Sequence, residues 1–389
     1  MVLLNPYRPG AGLMPGYLAG RDEIIKNAEQ IFAAVSSGIP VRSIAYSGYR
    51  GVGKTVLLNR LEEISRNEYD IAEFHIEVTK AGTFITKIVD CCKKYLRTYS
   101  ASEKAKSIFA RAIDAIKTLE ISFDPSKGDF SLSVQDRELY SGGDLAQGLQ
   151  DVFEAVGSIA AAKKKPICFF VDEFQYAKQE EMDAFISALH RAGQLNYPML
   201  TVCAGTPEMI RMLYKEKTYT ERMFVFPKLS FLTPDQVKEA IEKPGDKINL
   251  DYTDDAMSFI SDITKGYPYF VQQFGEVVCN ASEGGMVVDR QKAEDVLPEY
   301  YRELDDNFYM IRYEDRGDLE KACMKAMAYA DSLPCTGEYI AQKTGMRIKQ
   351  IGPTLSRLKN KGLIVYDSAN EIDFTVPGFG DFIKRTNGK

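Results

Sequence analysis

Histidine is nearly missing from this chain, with only His75 and His190 in 389 residues. Two imidazoles leave little from which to build a histidine-based metal site. Long apolar runs are missing as well: none reaches the roughly 18 residues needed to cross a bilayer, so no membrane role is expected. The first 21 residues lack a basic start and are interrupted by Pro6, Pro9 and Pro15, which is not the pattern of a secretory leader. The seven cysteines, Cys91, Cys92, Cys168, Cys203, Cys279, Cys323 and Cys335, are odd in number and have no C-x-x-C spacing. That excludes an ordinary disulfide framework or zinc clip and points to buried free thiols in a cytoplasmic protein. Internal repeats and low-complexity tracts are also absent. The net charge of −6 argues against a protein coated in nucleic acid. Between Leu319 and Lys389, however, eleven basic residues face seven acidic ones, so any such contact belongs to the C-terminus.

A chain of this length exceeds one ordinary hydrophobic core and implies two or three domains. Pro40–Ser47 is a short apolar run, followed by a glycine-rich turn and then by Lys54–Arg66 with apolar residues at Leu57, Leu61 and Ile64. The change of period predicts strand, loop and helix. Further buried-strand runs occur at Ile71–Val78, Ile167–Val171, Met199–Ala204 and Met223–Phe226, separated by stretches long enough for helical crossovers. A parallel α/β sheet is the expected architecture. Lys94–Lys165 reads as an insertion, with a hairpin over Leu119–Val134 about the turn Asp124–Gly128. After Leu232 the pattern turns helical, with Thr233 or Asp235 as helix cap and no strand-like run until Leu363. From Asp318 the order is helix (Leu319–Tyr329), helix (Thr336–Lys343), turn, helix (Lys349–Lys361) and two strands (Leu363–Asp367, Glu371–Val376). That order predicts a winged helix-turn-helix. The expected domains are thus 1–230, containing residues 1–34 and the insertion 94–165, a helical lid over 231–305, and a winged helix over 306–389.

The loop Gly48-Tyr49-Arg50-Gly51-Val52-Gly53-Lys54-Thr55 fits G-x-x-x-x-G-K-T in full. Phosphate binding needs backbone N–H groups free to converge on an anion at a helix N-terminus, and glycine permits that approach. Lys54 supplies a flexible charge for the β- and γ-phosphates, and the Thr55 hydroxyl can ligate Mg²⁺. A second signal is the apolar run Ile167–Val171, which ends in Asp172 and Glu173. Carboxylates at the end of a buried strand need a cation or solvent to meet them. Asp172 is placed to hold Mg²⁺ through water, and Glu173 to orient the attacking water as a base. ATP and Mg²⁺ are therefore the expected cofactors, and a Mg-dependent ATPase the expected activity.

These motifs resemble the AAA+ class of P-loop ATPases, more narrowly the archaeal and bacterial ATPases related to origin-recognition proteins and to STAND signal-transduction ATPases. The resemblance extends over nearly the whole chain. Asn5–Gly10 and Leu18–Glu23 are similar to the segment that wraps adenine in that family, which implies nucleotide contacts from Tyr7 and Arg8. The resemblance also implies a γ-phosphate sensor at Thr206, after Thr201–Gly205. Arg222, in the segment Tyr219–Phe224, corresponds to an arginine finger or phosphate sensor acting in cis or in trans. Gly266-Tyr267-Pro268 resembles the G-x-P motif of the STAND class, with Pro268 near the nucleotide. The lid arginine common in AAA+ motors has no counterpart, which favours a nucleotide-dependent switch over a processive motor.

In the expected recognition helix, Ile351, Leu355 and Leu358 form the core stripe. Arg347, Lys349, Arg357, Lys359 and Lys361 surround it with positive charge suited to phosphates of double-stranded DNA. Gln350 and Thr354 are placed to reach base edges. The acidic residues Asp367, Glu371 and Asp373 near the wing oppose that reading, and winged helices also dock proteins. The leading expectation is a slow ATPase switch coupled to a DNA- or protein-binding domain. Its alternatives are a loader or remodelling ATPase that assembles as a nucleotide-dependent homo-oligomer, and a DNA-binding regulator that holds ATP without catalysis.

Overall fold

The computed structural model describes residues 5–80, 83–99, 114–116, 144–215, 219–282, 286–367 and 369–387. It contains two compact units. The sheet unit comprises residues 21–48 and 54–229; the helical unit comprises residues 1–20, 49–53 and 230–389. Residues 1–20, expected with the sheet, therefore group with the helical part, and the lid and C-terminal region share one unit.

The sheet unit runs α1 (Asp22–Ser36), β1 (Ser43–Ser47), α2 (Lys54–Tyr69), β2 (Ala72–Glu77), α3 (Phe84–Tyr99), α4 (Asp144–Lys163) and β3 (Ile167–Asp172). It continues with α5 (Gln179–Gln194), β4 (Met199–Gly205), α6 (Pro207–Tyr214), α7 (Thr220–Met223) and β5 (Phe224–Val225). The strands are ordered β2-β3-β4-β1-β5 and pair in parallel throughout. Strands β1, β3 and β4 are buried along their whole length, which explains why they read as continuous apolar runs without alternation. Aromatic packing anchors β3: Phe169 stacks on Phe153 at 5.5 Å and meets Phe185 edge-on at 5.9 Å. Register matters more than composition here. Ser47 pairs with Gly205, and Val171 with Cys203, so β1, β3 and β4 end side by side at one edge of the sheet. In open α/β sheets that carboxyl edge is where ligands bind. The hairpin expected over Leu119–Val134 lies outside the described residues, and the flanks of the insertion are the helices α3 and α4.

The helical unit contains α8 (Pro234–Asp246), β6 (Asp251–Tyr252), α9 (Asp254–Thr264), α10 (Pro268–Asn280), β7 (Val287–Val288), α11 (Arg290–Asp295) and α12 (Leu297–Leu304). A π-helical turn, Asp305–Tyr309, leads to α13 (Met310–Glu314). Then follow α14 (Asp318–Ala328), α15 (Gly337–Thr344), α16 (Ile348–Asn360), β8 (Ile364–Tyr366), β9 (Ile372–Phe374) and α17 (Phe379–Asn387). Thr233 caps α8, its hydroxyl accepting the Gln236 N–H while Gln236 reaches back to the Thr233 N–H. The expectation of no strand before Leu363 needs correction, because β6 and β7 pair in parallel. Two residues each are too few to generate an alternating pattern. Strands β8 and β9 are antiparallel, and Cys335 forms a further antiparallel bridge to Ile372. A single core runs through this unit from Tyr7 to Ile383. All seven cysteines are buried free thiols. Among the described residues no helix is long and apolar enough to cross a membrane.

Candidate nucleotide-binding site

The phosphate loop leaves β1 at Ser47 and enters α2 at Lys54. Gly51 and Gly53 have φ of 79° and 88°, a left-handed backbone that other residues adopt only with strain. Lys54 is 5% exposed, and its Nζ donates to the Gly48 carbonyl at 3.0 Å, so the ammonium is turned back toward the end of β1.

Thr55 lies one residue into α2, and its Oγ1 donates to Asp172 Oδ2 at 2.5 Å. The other oxygen, Oδ1, accepts the Glu173 N–H at 2.8 Å. Asp172 is 2% exposed and forms no ion pair among the described residues. A buried carboxylate met only by neutral donors costs several kcal/mol unless a cation joins it. That deficit, beside a hydroxyl, suits Mg²⁺, which takes one or two protein ligands and fills its shell with water and phosphate oxygens. No cluster of three or more His, Cys, Asp or Glu able to hold a metal exists among the described residues.

Glu173 has a left-handed backbone, φ 53° and ψ 37°, at the start of a 3-10 turn over Phe174–Tyr176. Backbone outliers of this kind persist where surrounding structure enforces them, often at functional sites. Its Oε2 accepts from Gln175 Nε2, and Gln175 Oε1 in turn accepts the Thr206 N–H at 3.0 Å. Thr206 is the N-cap of α6, directly after β4. Lys54, Thr55, Asp172, Glu173 and Thr206 therefore gather at the carboxyl edge of one sheet. Arg222 lies in α7, is exposed, and forms no ion pair among the described residues.

Residues Tyr49, Arg50, Gly51, Val52 and Gly53 belong to the helical unit. There Tyr267 donates its hydroxyl to the Arg50 carbonyl at 2.7 Å and is fully buried. A Cβ on Gly51 would lie 2.0 Å from that hydroxyl oxygen, so the glycine is required for close approach as well as for its φ. Tyr267 precedes Pro268, the first residue of α10, and is the residue of that motif that touches the loop. Sequence reasoning missed it by attending to the proline. Arg312, on α13, lies close enough to Tyr267 and Arg50 to feel their charge. Its Nη1 donates to the Phe308 carbonyl at 2.7 Å and its guanidinium lies 3.6 Å from the Phe308 ring. Burial lowers its pKa, and the positive charge of Arg50 adds to that effect.

Tyr7 departs from expectation. It is 2% exposed, its hydroxyl donates to the Ile241 carbonyl at 2.7 Å, and its ring fills the space left by Gly275. A ring so enclosed packs in the core of the helical unit. Arg8 is exposed, and its backbone N–H donates to Gln272.

The basic residues of α16 also differ from expectation. Thr354 is 1% exposed and its Oγ1 accepts from Arg357, so it cannot present itself to a base edge. Gln350 accepts the Arg347 N–H at 2.8 Å as part of the helix start. Lys361 donates to both oxygens of Glu320 at 2.8 Å, and Arg357 lies 3.5 Å from the same carboxylate. Burial opposes the charge on Glu320, but Lys361 and the Gly317 N–H outweigh it and hold the carboxyl below its usual range. Arg347 and Lys349 remain exposed, beside exposed Met346 and Ile348.

A family profile described as "AAA ATPase domain" matches residues 17–202, and one described as "Domain of unknown function (DUF8462)" matches residues 306–383. No curated protein matches. Among solved structures, the Walker-type ATPase PABY2304 of Pyrococcus abyssi is similar at 14% identity and a TM-score of 0.54, over 94% of this chain and 96% of that one. Cdc6p from Pyrobaculum aerophilum aligns at 14% identity and a TM-score of 0.46, over 97% and 96% of the two chains. RuvB of Thermotoga maritima, a Holliday junction branch migration motor, aligns at 14% identity and a TM-score of 0.46, over 93% and 95%. At such identity the likeness to the Pyrococcus ATPase is one of fold. The parallel sheet, the complete phosphate loop and the profile match together support a P-loop ATPase domain of the AAA+ type over residues 17–202.

Proposed function

We propose that the protein binds Mg-ATP at this loop and hydrolyses it slowly, as a conformational switch read out by a C-terminal winged helix. The observation that carries the reading is the Thr55–Asp172 contact at 2.5 Å with Glu173 as the next residue, because it unites a cation-ready pair and a base at one strand end. Lys54 neutralises the β- and γ-phosphates, and Thr55 and Asp172 hold Mg²⁺, which supplies charge stabilisation at the phosphates. Glu173 accepts the proton of the attacking water, and Thr206 contacts the γ-phosphate. Exposed Arg222 is available to a phosphate of its own or a neighbouring copy. The Tyr267–Arg50 bond supports a switch, since it ties the tip of the phosphate loop to the G-x-P segment.

The three helices α14–α16 and the β8–β9 hairpin have the order of a winged helix. We favour protein docking over DNA for it, because Arg357, Lys361, Gln350 and Thr354 are engaged within the fold and apolar Met346 and Ile348 are exposed. Arg347, Lys349 and Lys359, the cations of this helix without an ion pair among the described residues, release few counterions and give weak salt-dependent binding. ATP turnover measured at low salt with and without random-sequence duplex DNA is therefore expected to agree within about twofold. A clear rise with DNA would restore the DNA reading and make Arg347 and Lys349 its first contacts.

A further inference from the structure

The turn after β3 contains an amide that the phosphate site as described does not use. Gln175 sits two residues beyond Glu173, and both ends of its side chain are bonded. Nε2 donates to Glu173 Oε2, while Oε1 accepts the backbone N–H of Thr206 at 3.0 Å. An amide has one donor end and one acceptor end, so these two partners together fix which way it points. Room for it depends on Gly205, because a Cβ there would lie 2.5 Å from Gln175 Oε1. Glu173 itself stands on a left-handed backbone, outside the conformation its strand would give it.

We propose that Gln175 is a positioning residue for hydrolysis: it holds the Glu173 carboxylate by Oε2, leaves Oε1 to accept from water, and ties that orientation to the turn carrying Thr206. The proposal rests on the reading of Glu173 as the base. A base oriented by a third group is the usual arrangement where proton transfer must be aimed. Here the third group is itself anchored to the backbone of the residue assigned to the γ-phosphate. Movement of the β4–α6 turn therefore moves the base.

The test is steady-state phosphate release and ATP affinity for the full chain carrying Gln175→Ala, Gln175→Glu, Gly205→Ala or Glu173→Gln, beside the wild type. Gln175→Ala is expected to lower kcat by roughly 10- to 100-fold, a part of what a general base contributes, with ATP affinity and melting temperature nearly unchanged. Gly205→Ala displaces the amide without altering it and should reproduce part of that loss. Gln175→Glu removes the donor to Glu173 Oε2 while keeping the length of the side chain, and should lower kcat at least as far as Gln175→Ala, with ATP affinity unchanged. A side chain that merely packs would lose melting temperature and leave kcat in place. Turnover of Gln175→Ala equal to or above wild type, with Glu173→Gln inactive, overturns the positioning role while leaving the ATPase reading intact. Wild-type turnover in Glu173→Gln removes the base and with it both readings.

Discussion

Glu173→Gln is expected to lower ATP turnover by roughly 10²- to 10⁴-fold, the range that a positioned general base contributes. Nucleotide affinity should stay within about threefold of wild type, because loss of a transition-state interaction lowers kcat without weakening ground-state binding. The substitution suits its site. Glutamine keeps the shape, tolerates the same left-handed backbone no worse than glutamate, and offers a carbonyl to Gln175 Nε2 in place of the carboxylate oxygen. Turnover and equilibrium binding of a fluorescent ATP analogue, measured on one preparation, separate the two effects. Parallel loss of binding would mean that Glu173 acts on the fold of the strand end and not on the chemistry.

Lys54→Ala has its largest effect on the other quantity. A charge-assisted hydrogen bond to phosphate is worth roughly 1.5–3 kcal/mol, so affinity for ATP should fall by about 10- to 100-fold and turnover with it. The ammonium is bonded to the Gly48 carbonyl and 5% exposed, so the variant also loses a contact inside the loop. A melting curve without nucleotide measures that local cost separately. If affinity is unchanged in a folded variant, nucleotide does not bind in this loop.

What was legible in the sequence was contiguous. The phosphate loop and the Ile167–Glu173 strand end announce themselves because each packs its chemistry into a few successive residues, and the three fully buried strands β1, β3 and β4 are largely apolar runs. Gln175, Tyr267 and Arg312 were not legible. Their importance comes from partners 31, 217 and 4 residues away, of which the first two are brought near only by folding. Tyr7 was read as a nucleotide contact because nothing local shows that its ring will meet Gly275. Thr354 is a different kind of error. It stands three residues after Ile351 and four before Leu358, on the same helical stripe, so periodicity alone assigns it to the core. The basic appearance of α16 was likewise deceptive, since a single buried carboxylate, Glu320, is the partner of both Arg357 and Lys361.

The most direct test of the account is phosphate release from ATP by the purified full chain, first with Mg²⁺ and then with the cation removed by a chelator. Slow turnover that stops without Mg²⁺ and returns when it is restored is the predicted result. Turnover indifferent to the cation, or none above a buffer control while the protein binds ATP, would contradict the assignment of Thr55, Asp172 and Glu173 as a hydrolytic centre.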